Sequence, residues 1–312
     1  MALTVTFGNG GAYTVASLTN PVDQETYKLL DEATTQTKNG SSLNTGIVQV
    51  DNPAAKVAVG YNADTNSFNF DVVTAWNSVK NVLAKSNTSE NLSFKDFVHV
   101  DVHLGGTGSS NVEVLNAKRG NISTGSGNDT VTVSLVSNEK FWVNAFNVDT
   151  GAGNDTITFK AGKAFNDTSA GGTGGIVSAQ AVNGGAGVTD GSFTTVKIDA
   201  GAGNDTIDLS GVNLASSLVT GGKGIDNIKA SGGADTFVFN LGDMAKSLAT
   251  DSIEGFDVVK DKLKLVGTVI DNWAVSTSDS DTILTYNVTG EHKGEKIVLS
   301  GVHLTGSDWF TA

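Results

Sequence analysis

The sequence predicts an all-β fold in which short strands stack as the coils of a solenoid. Three observations predict it. One phrase returns along the chain: Gly-Ser-Gly-Asn-Asp-Thr at 125–130, then Gly-Ala-Gly-Asn-Asp-Thr at 151–156 and again at 201–206. Looser copies follow, Gly-Lys-Gly-Ile-Asp-Asn at 222–227 and Ser-Gly-Gly-Ala-Asp-Thr at 231–236. Apolar residues bracket the copies, with Ile122, Val148, Ile198 and Val219 before and Val131, Ile157, Ile207, Ile228 and Phe237 after. Glycine is frequent (38 of 312 residues) and proline rare (2), which favours tight-turned β structure over a proline-rich linker.

The phrase has a chemistry. Glycines admit positive φ, so the backbone turns tightly and its carbonyls converge. The Asp adds a carboxylate beside them. Oxygen donors of these two kinds suit Ca²⁺, which takes about six to eight of them. One turn cannot supply that number, but two stacked turns can, with the ion between. The carboxylate candidates are Asp129, Asp155, Asp205, Asp226 and Asp235. The carbonyl candidates are Gly125, Gly127, Gly151, Gly153, Gly201, Gly203, Gly222, Gly224 and Gly233. Asp149 and Asp199, two residues before their motifs, are read as facing solvent.

These phrases resemble the nonapeptide repeats of the RTX (repeats-in-toxin) family, Gly-Gly-x-Gly-x-Asp-x-U-x with U apolar. The resemblance implies an irregular right-handed parallel β-roll or β-helix solenoid with Ca²⁺-binding turns. The spacing departs from a regular roll, which advances about nine residues per turn. Motifs start at 125, 151, 201, 222 and 231, so the long step from 151 is expected to hold two coils. Gly171–Gly175 and Gly184–Gly187 are the candidates for its weakened turns.

Taken in order, residues 1–20 alternate (Leu3, Val5, Phe7; Tyr13, Val15) and read as a strand or hairpin. Residues 22–35 carry a short-helix signal. Strand-like alternation returns over 46–75, and Val72, Trp76, Val79 and Leu83 favour a helix over 71–85. Val98–Leu104 is a strand whose polar face carries His99, Asp101 and His103. Those three could hold a transition metal, or form a solvated face. Gly106-Thr107-Gly108-Ser109-Ser110 reads as a degenerate motif with Ser at the Asp position.

Met244–Leu248 reads as a short helical turn. Beyond it, Ile253-Glu-Gly-Phe256, Asp261-Lys-Leu-Lys-Leu265, Ile297-Val-Leu-Ser-Gly-Val302 and the ending Asp308-Trp309-Phe310 are similar to the C-terminal region of RTX proteins. That similarity implies a capping region with an uncleaved type I secretion signal. The expected division is an N-terminal β-rich cap over 1–95, the solenoid over 96–240 and the C-terminal β cap over 241–312.

Composition limits the function. A net charge of −13 disfavours nucleic acid and anionic membrane surfaces as partners. Cysteine is absent, so neither disulfides nor thiolate chemistry operate. The Met-Ala-Leu-Thr-Val-Thr-Phe start lacks the basic and apolar regions of a Sec signal, and no apolar run is long enough to span a membrane. The sequence lacks both His-Glu-x-x-His and Gly-x-Ser-x-Gly, so the chain is expected not to be an enzyme.

The function expected is that of a secreted Ca²⁺-binding structural protein that folds outside the cell and self-assembles as a layer, filament or matrix. Its partners would be copies of itself and, during export, a type I secretion apparatus. The alternatives are a monomeric adhesin that binds cell-surface polysaccharide, and a polysaccharide-acting enzyme.

Overall fold

The computed structural model describes residues 2–7, 12–14, 45–50, 57–62, 67–72, 81–86, 88–97, 99–135, 144–162, 164–165, 176–177, 194–246, 250–306 and 308–311. Two sheets of twelve strands each face one another across a single apolar core. The chain alternates between them. It crosses the first sheet, turns along one edge, crosses the second, and returns along the opposite edge. Arg119–Ser123, Asn144–Asp149, Thr194–Asp199, Ser216–Thr220 and Asp235–Asn240 follow one another in the first sheet. Thr130–Leu135, Thr156–Ala161, Thr206–Gly211 and Asn227–Lys229 follow one another in the second. All these neighbours are parallel. The molecule is a parallel β-roll.

Alternation explains the core. In a strand successive side chains point to opposite faces, and in-register pairing aligns the inward ones into columns. Val112, Val131, Ile157, Ile207, Ile228, Ile253 and Leu299 form one column of the second sheet. Ala84, Val102, Ile122, Val148, Ile198, Val219, Phe237 and Leu263 form its counterpart in the first. Every member is 0–2% exposed. Phe146 meets Phe159 edge to face across the core at 6.0 Å between ring centres. Gly120 makes room for that ring: a Cβ there would lie 2.8 Å from Phe146 Cε1.

Several sequence expectations change. Within 71–85 the described residues form strands Ser67–Val72 and Asn81–Ser86, not a helix; Val82, Ala84 and Ser86 alternate into the core. Residues 73–80, Trp76 among them, and the 22–35 helix signal lie outside the described residues. The long step from 151 holds one coil, not two. Asn144–Asp149 pairs directly with Thr194–Asp199, and Thr156–Ala161 with Thr206–Gly211. No strand of either twelve-stranded sheet occurs among the described residues between Gly162 and Thr194. The described part of that stretch is a two-stranded pairing of Ala164–Phe165 with Ile176–Val177. Met244 forms a β-bridge to Gly224 instead of a helical turn.

Both sheets run continuously past residues 96 and 240. Parallel pairing joins Ser67–Val72 to Asn91–Lys95, and Asp235–Asn240 to Lys262–Val266. At the far end, Trp273–Ser278 and Asp281–Tyr286 add antiparallel to Lys296–Ser300 and close the second sheet.

Candidate metal centre

The motif turns stack along one edge. At Gly151 and Gly201 only glycine fits. Their φ values are +87° and +95°, and an added Cβ would lie 1.9 Å from Gly125 O and 1.8 Å from Gly151 O. The carbonyl of one turn thus presses against the Cα of the next. Gly106 O, Gly125 O, Gly151 O and Gly201 O accept the N–H groups of Ser126, Ala152, Ala202 and Lys223, at 2.8–3.1 Å. A carbonyl oxygen keeps a second lone pair, so this use leaves the candidate carbonyls an acceptor site. The second glycines stack equally closely. A Cβ on Gly153 would meet Gly127 O at 2.1 Å, on Gly203 Gly153 O at 1.6 Å, and on Gly224 Gly203 O at 1.7 Å. Gly222 sits likewise on Gly201, with Gly201 O at 1.8 Å from its would-be Cβ. The asparagines between glycine and aspartate form an outer ladder. Asn154 N and Asn204 N donate to Asn128 Oδ1 and Asn154 Oδ1 at 2.8 Å, and Ile225 N to Asn204 Oδ1 at 3.0 Å.

Inside this edge four of the five candidate aspartates stand in one column. Each is 0–1% exposed. Ser110 N donates to Asp129 Oδ1, Asp129 N to Asp155 Oδ1, Asp155 N to Asp205 Oδ1 and Asp205 N to Asp226 Oδ1, at 2.6–2.9 Å. Asp251 extends the column, its Oδ1 accepting Asp226 N at 3.0 Å. In all five the second oxygen, Oδ2, is buried and has no hydrogen-bond partner among the described residues. Ser110 occupies the Asp place in the coil before Asp129, as the degenerate motif implies.

Asp235 does not join them. Its turn lies on the opposite edge, between strands of the second and first sheets, and Gly233 packs there against Leu214 O. Both its oxygens are engaged: Oδ2 by Ser231 N at 2.7 Å, Oδ1 by Ser217 Oγ and Ser231 Oγ at 2.7 and 2.9 Å. Asp235 braces its turn and is removed from the ligand candidates. Asp261 stacks on it, accepting Asp235 N at 2.9 Å.

The column is electrostatically loaded. Neighbouring strands lie about 4.7–4.9 Å apart, and unit charges at that separation repel by about 3–4 kcal/mol at an effective dielectric near 20. Burial raises Asp155. Burial, together with the Asp226 and Asp155 charges, pushes Asp205 up to about 7, against the opposing pull of the Asp155 N–H. Burial likewise takes Asp226 to about 6 and Asp251 to about 7, with Asp243 adding to both and Glu295 to the latter.

The residues present fit a hard divalent cation. Orphaned carboxylate oxygens and glycine carbonyls are an all-oxygen donor set, and a positive charge removes the repulsion. No group of three or more His, Asp or Glu side chains poised for one metal occurs among the described residues. Each ion would therefore draw carboxylates from two successive coils and the rest of its shell from backbone. The His99, Asp101 and His103 face is used internally: His99 Nε2 pairs with Asp101 Oδ1 at 2.9 Å, and His103 Nδ1 meets Ser123 Oγ at 3.2 Å.

Asp251 was not legible as a candidate because no glycine turn precedes it. The signal was Asp251-Ser-Ile253, which repeats the Asp-Thr-Ile ending of the motifs at 155 and 205.

No family model matches the sequence, and no curated protein matches it. Among solved structures, the extracellular lipase LipA from Serratia marcescens is similar at 16% identity and a TM-score of 0.27. The match covers 73% of this chain and 45% of that one, so this chain spans under half the length of the lipase. That protein is an enzyme. The expectation that this chain is not an enzyme is corrected on that finding and withdrawn; a likeness of this depth assigns no activity in its place. No described helix is long and apolar enough to cross a membrane.

Proposed function

We propose that this chain is an extracellular RTX-type β-roll protein that folds on Ca²⁺ and then assembles with copies of itself. One observation carries the reading: five buried carboxylates stand in register, each with an unpartnered oxygen. Asp129, Asp155, Asp205, Asp226 and Asp251 are the carboxylate ligands, completed by the carbonyls of Gly125, Gly127, Gly151, Gly153, Gly201, Gly203, Gly222 and Gly224. The bound cation supplies charge neutralisation and folding free energy by linkage. The chain's own contribution is the stacked turn, which excludes water and holds each Oδ1 on a backbone N–H.

Export through a type I apparatus places the chain, still unfolded, where Ca²⁺ is abundant. Extracellular modules bind the ion at about 10⁻⁴–10⁻³ M, which suits folding outside and not inside the cell. Three regions divide the work: an N-terminal cap over 1–95, the ion-bearing coils over 96–240, and a capping and export region over 241–312. Assembly is supported by the terminal strand Trp273–Ser278, which has one strand partner and five exposed residues of six.

Circular dichroism and light scattering during a Ca²⁺ titration test the reading. Folding followed by growth in mass supports it. A chelated sample that is equally folded, or a folded sample that stays monomeric at high concentration, removes the corresponding half.

A further inference from the structure

We propose that the outer face of the first sheet binds an uncharged polysaccharide in a groove running along the solenoid axis. The groove has a volume of about 380 Å³ and crosses four successive coils, at His103, at Asn121–Ser123, at Asn147–Asp149, and at Lys197 and Asp199. At one strand spacing per coil it is roughly 14 Å long. Two side-chain rows define it. Asp101, Asn121, Asn147 and Lys197 are in register in one, and His103, Ser123, Asp149 and Asp199 in the other.

The rows are held in place before any ligand arrives. Asn121 Nδ2 donates to Asp101 Oδ1 and Asn147 Nδ2 to Asn121 Oδ1, both at 2.7 Å. Side chains ordered in this way lose little entropy on binding. The lining offers an ammonium, amides, an imidazole and a hydroxyl beside two carboxylates, so donors and acceptors alternate at short range. Hydroxyl groups, which both donate and accept, match that mixture. The apolar lining residues Ile122 and Val148 are only 2% exposed and offer no greasy floor.

The partner chemistry follows by comparison. Asp149 and Asp199 outnumber Lys197, so a polyanion is repelled. A peptide strand gains its affinity from backbone pairing at a sheet edge, whereas this is a sheet face presenting side chains alone. A polymer with a repeating polyol unit uses what every coil repeats. This inference needs only the folded coils, so its failure leaves the cation reading standing.

Affinity electrophoresis in Ca²⁺ through gels carrying dextran, laminarin, soluble cellulose derivative without charge, or polygalacturonate tests it. Retardation is expected in at least one neutral polymer. The Asn147→Ala/Lys197→Ala variant should weaken it at least tenfold with an unchanged dichroism spectrum. Ser123→Arg, filling the groove from the other row, should abolish it. Thr132→Ala/Thr158→Ala, on the outer face of the second sheet, should leave it intact. No retardation in any neutral gel, retardation by polygalacturonate alone, or equal retardation of wild type and both groove variants would overturn the proposal.

Discussion

At the residue scale the column of aspartates decides how stability depends on solution conditions. Asp205 and Asp251 titrate in the folded chain at about 7, and Asp226 at about 6. An unfolded Asp titrates at about 3.9. The folded state therefore holds more protons than the unfolded state between those values, and stability falls as pH rises through them. Without Ca²⁺ the protein is expected to melt at a higher temperature at pH 5 than at pH 8; with saturating Ca²⁺ the order reverses, because protons compete with the ion. Calorimetry at both pH values, with chelator and with Ca²⁺, measures this. Asp155→Asn/Asp205→Asn separates charge from shape, since the amide oxygen still accepts the backbone N–H. Its melting temperature in chelator should rise, by about 2–4 °C for each kcal/mol of repulsion removed, and its response to Ca²⁺ should shrink. A double variant that keeps the full Ca²⁺ response would show that these carboxylates do not hold the ion. Gly201→Ala tests the stacking itself. Positive φ alone costs about 1–3 kcal/mol for a residue with a side chain, and a Cβ 1.8 Å from Gly151 O adds to that. Gly232→Ala, whose Cβ would first meet the Asn213 side chain, at 3.2 Å, should cost far less when both variants are compared by urea titration.

At the element scale, local signals were legible and register was not. The residue after each Asp-Thr points inward as alternation requires: Val131, Ile157 and Ile207 are all fully buried. Glycine pairs marked the turns because a stacked turn tolerates nothing larger. The edge on which a turn lies is fixed by strand order, which no single motif encodes. Ser231–Asp235 therefore read like its four predecessors but stacks opposite them. The 50-residue step likewise hid a single coil, because the glycines at 171–175 and 184–187, which lie outside the described residues, read in the sequence like further turns. Val72, Val79 and Leu83 fit a helical spacing, yet strand pairing with Asn91–Lys95 and His99–Leu104 prevails over that local pattern. The step makes a deletion prediction. Replacing residues 163–193 with Val-Asn-Leu-Ala, the four residues that join Gly211 to Ser216, should preserve the β spectrum and the Ca²⁺ midpoint. A chain that no longer folds after this replacement would mean that the excised stretch contributes a coil of its own.

At the scale of the whole molecule the ends matter more than the middle. Each interior strand has neighbours on both sides, whereas Trp273–Ser278 closes the second sheet with one side unpaired among the described residues. An exposed strand edge is a template for another chain. Natural proteins blunt such edges with lysine or proline, but this one reads Trp-Ala-Val-Ser-Thr-Ser, with Val275 46% exposed. Under the assembly proposed above, this edge is where a further copy would add, and head-to-tail contacts of that kind close into rings or continue as filaments. Val275→Lys/Thr277→Lys places charge on that edge at two exposed positions outside the aspartate column. Light scattering in Ca²⁺ should then report the monomer mass, with the Ca²⁺-dependent dichroism change and the melting temperature kept. Assembly undiminished by both lysines would move the growing contact away from this edge, to the opposite end of the roll or to its faces.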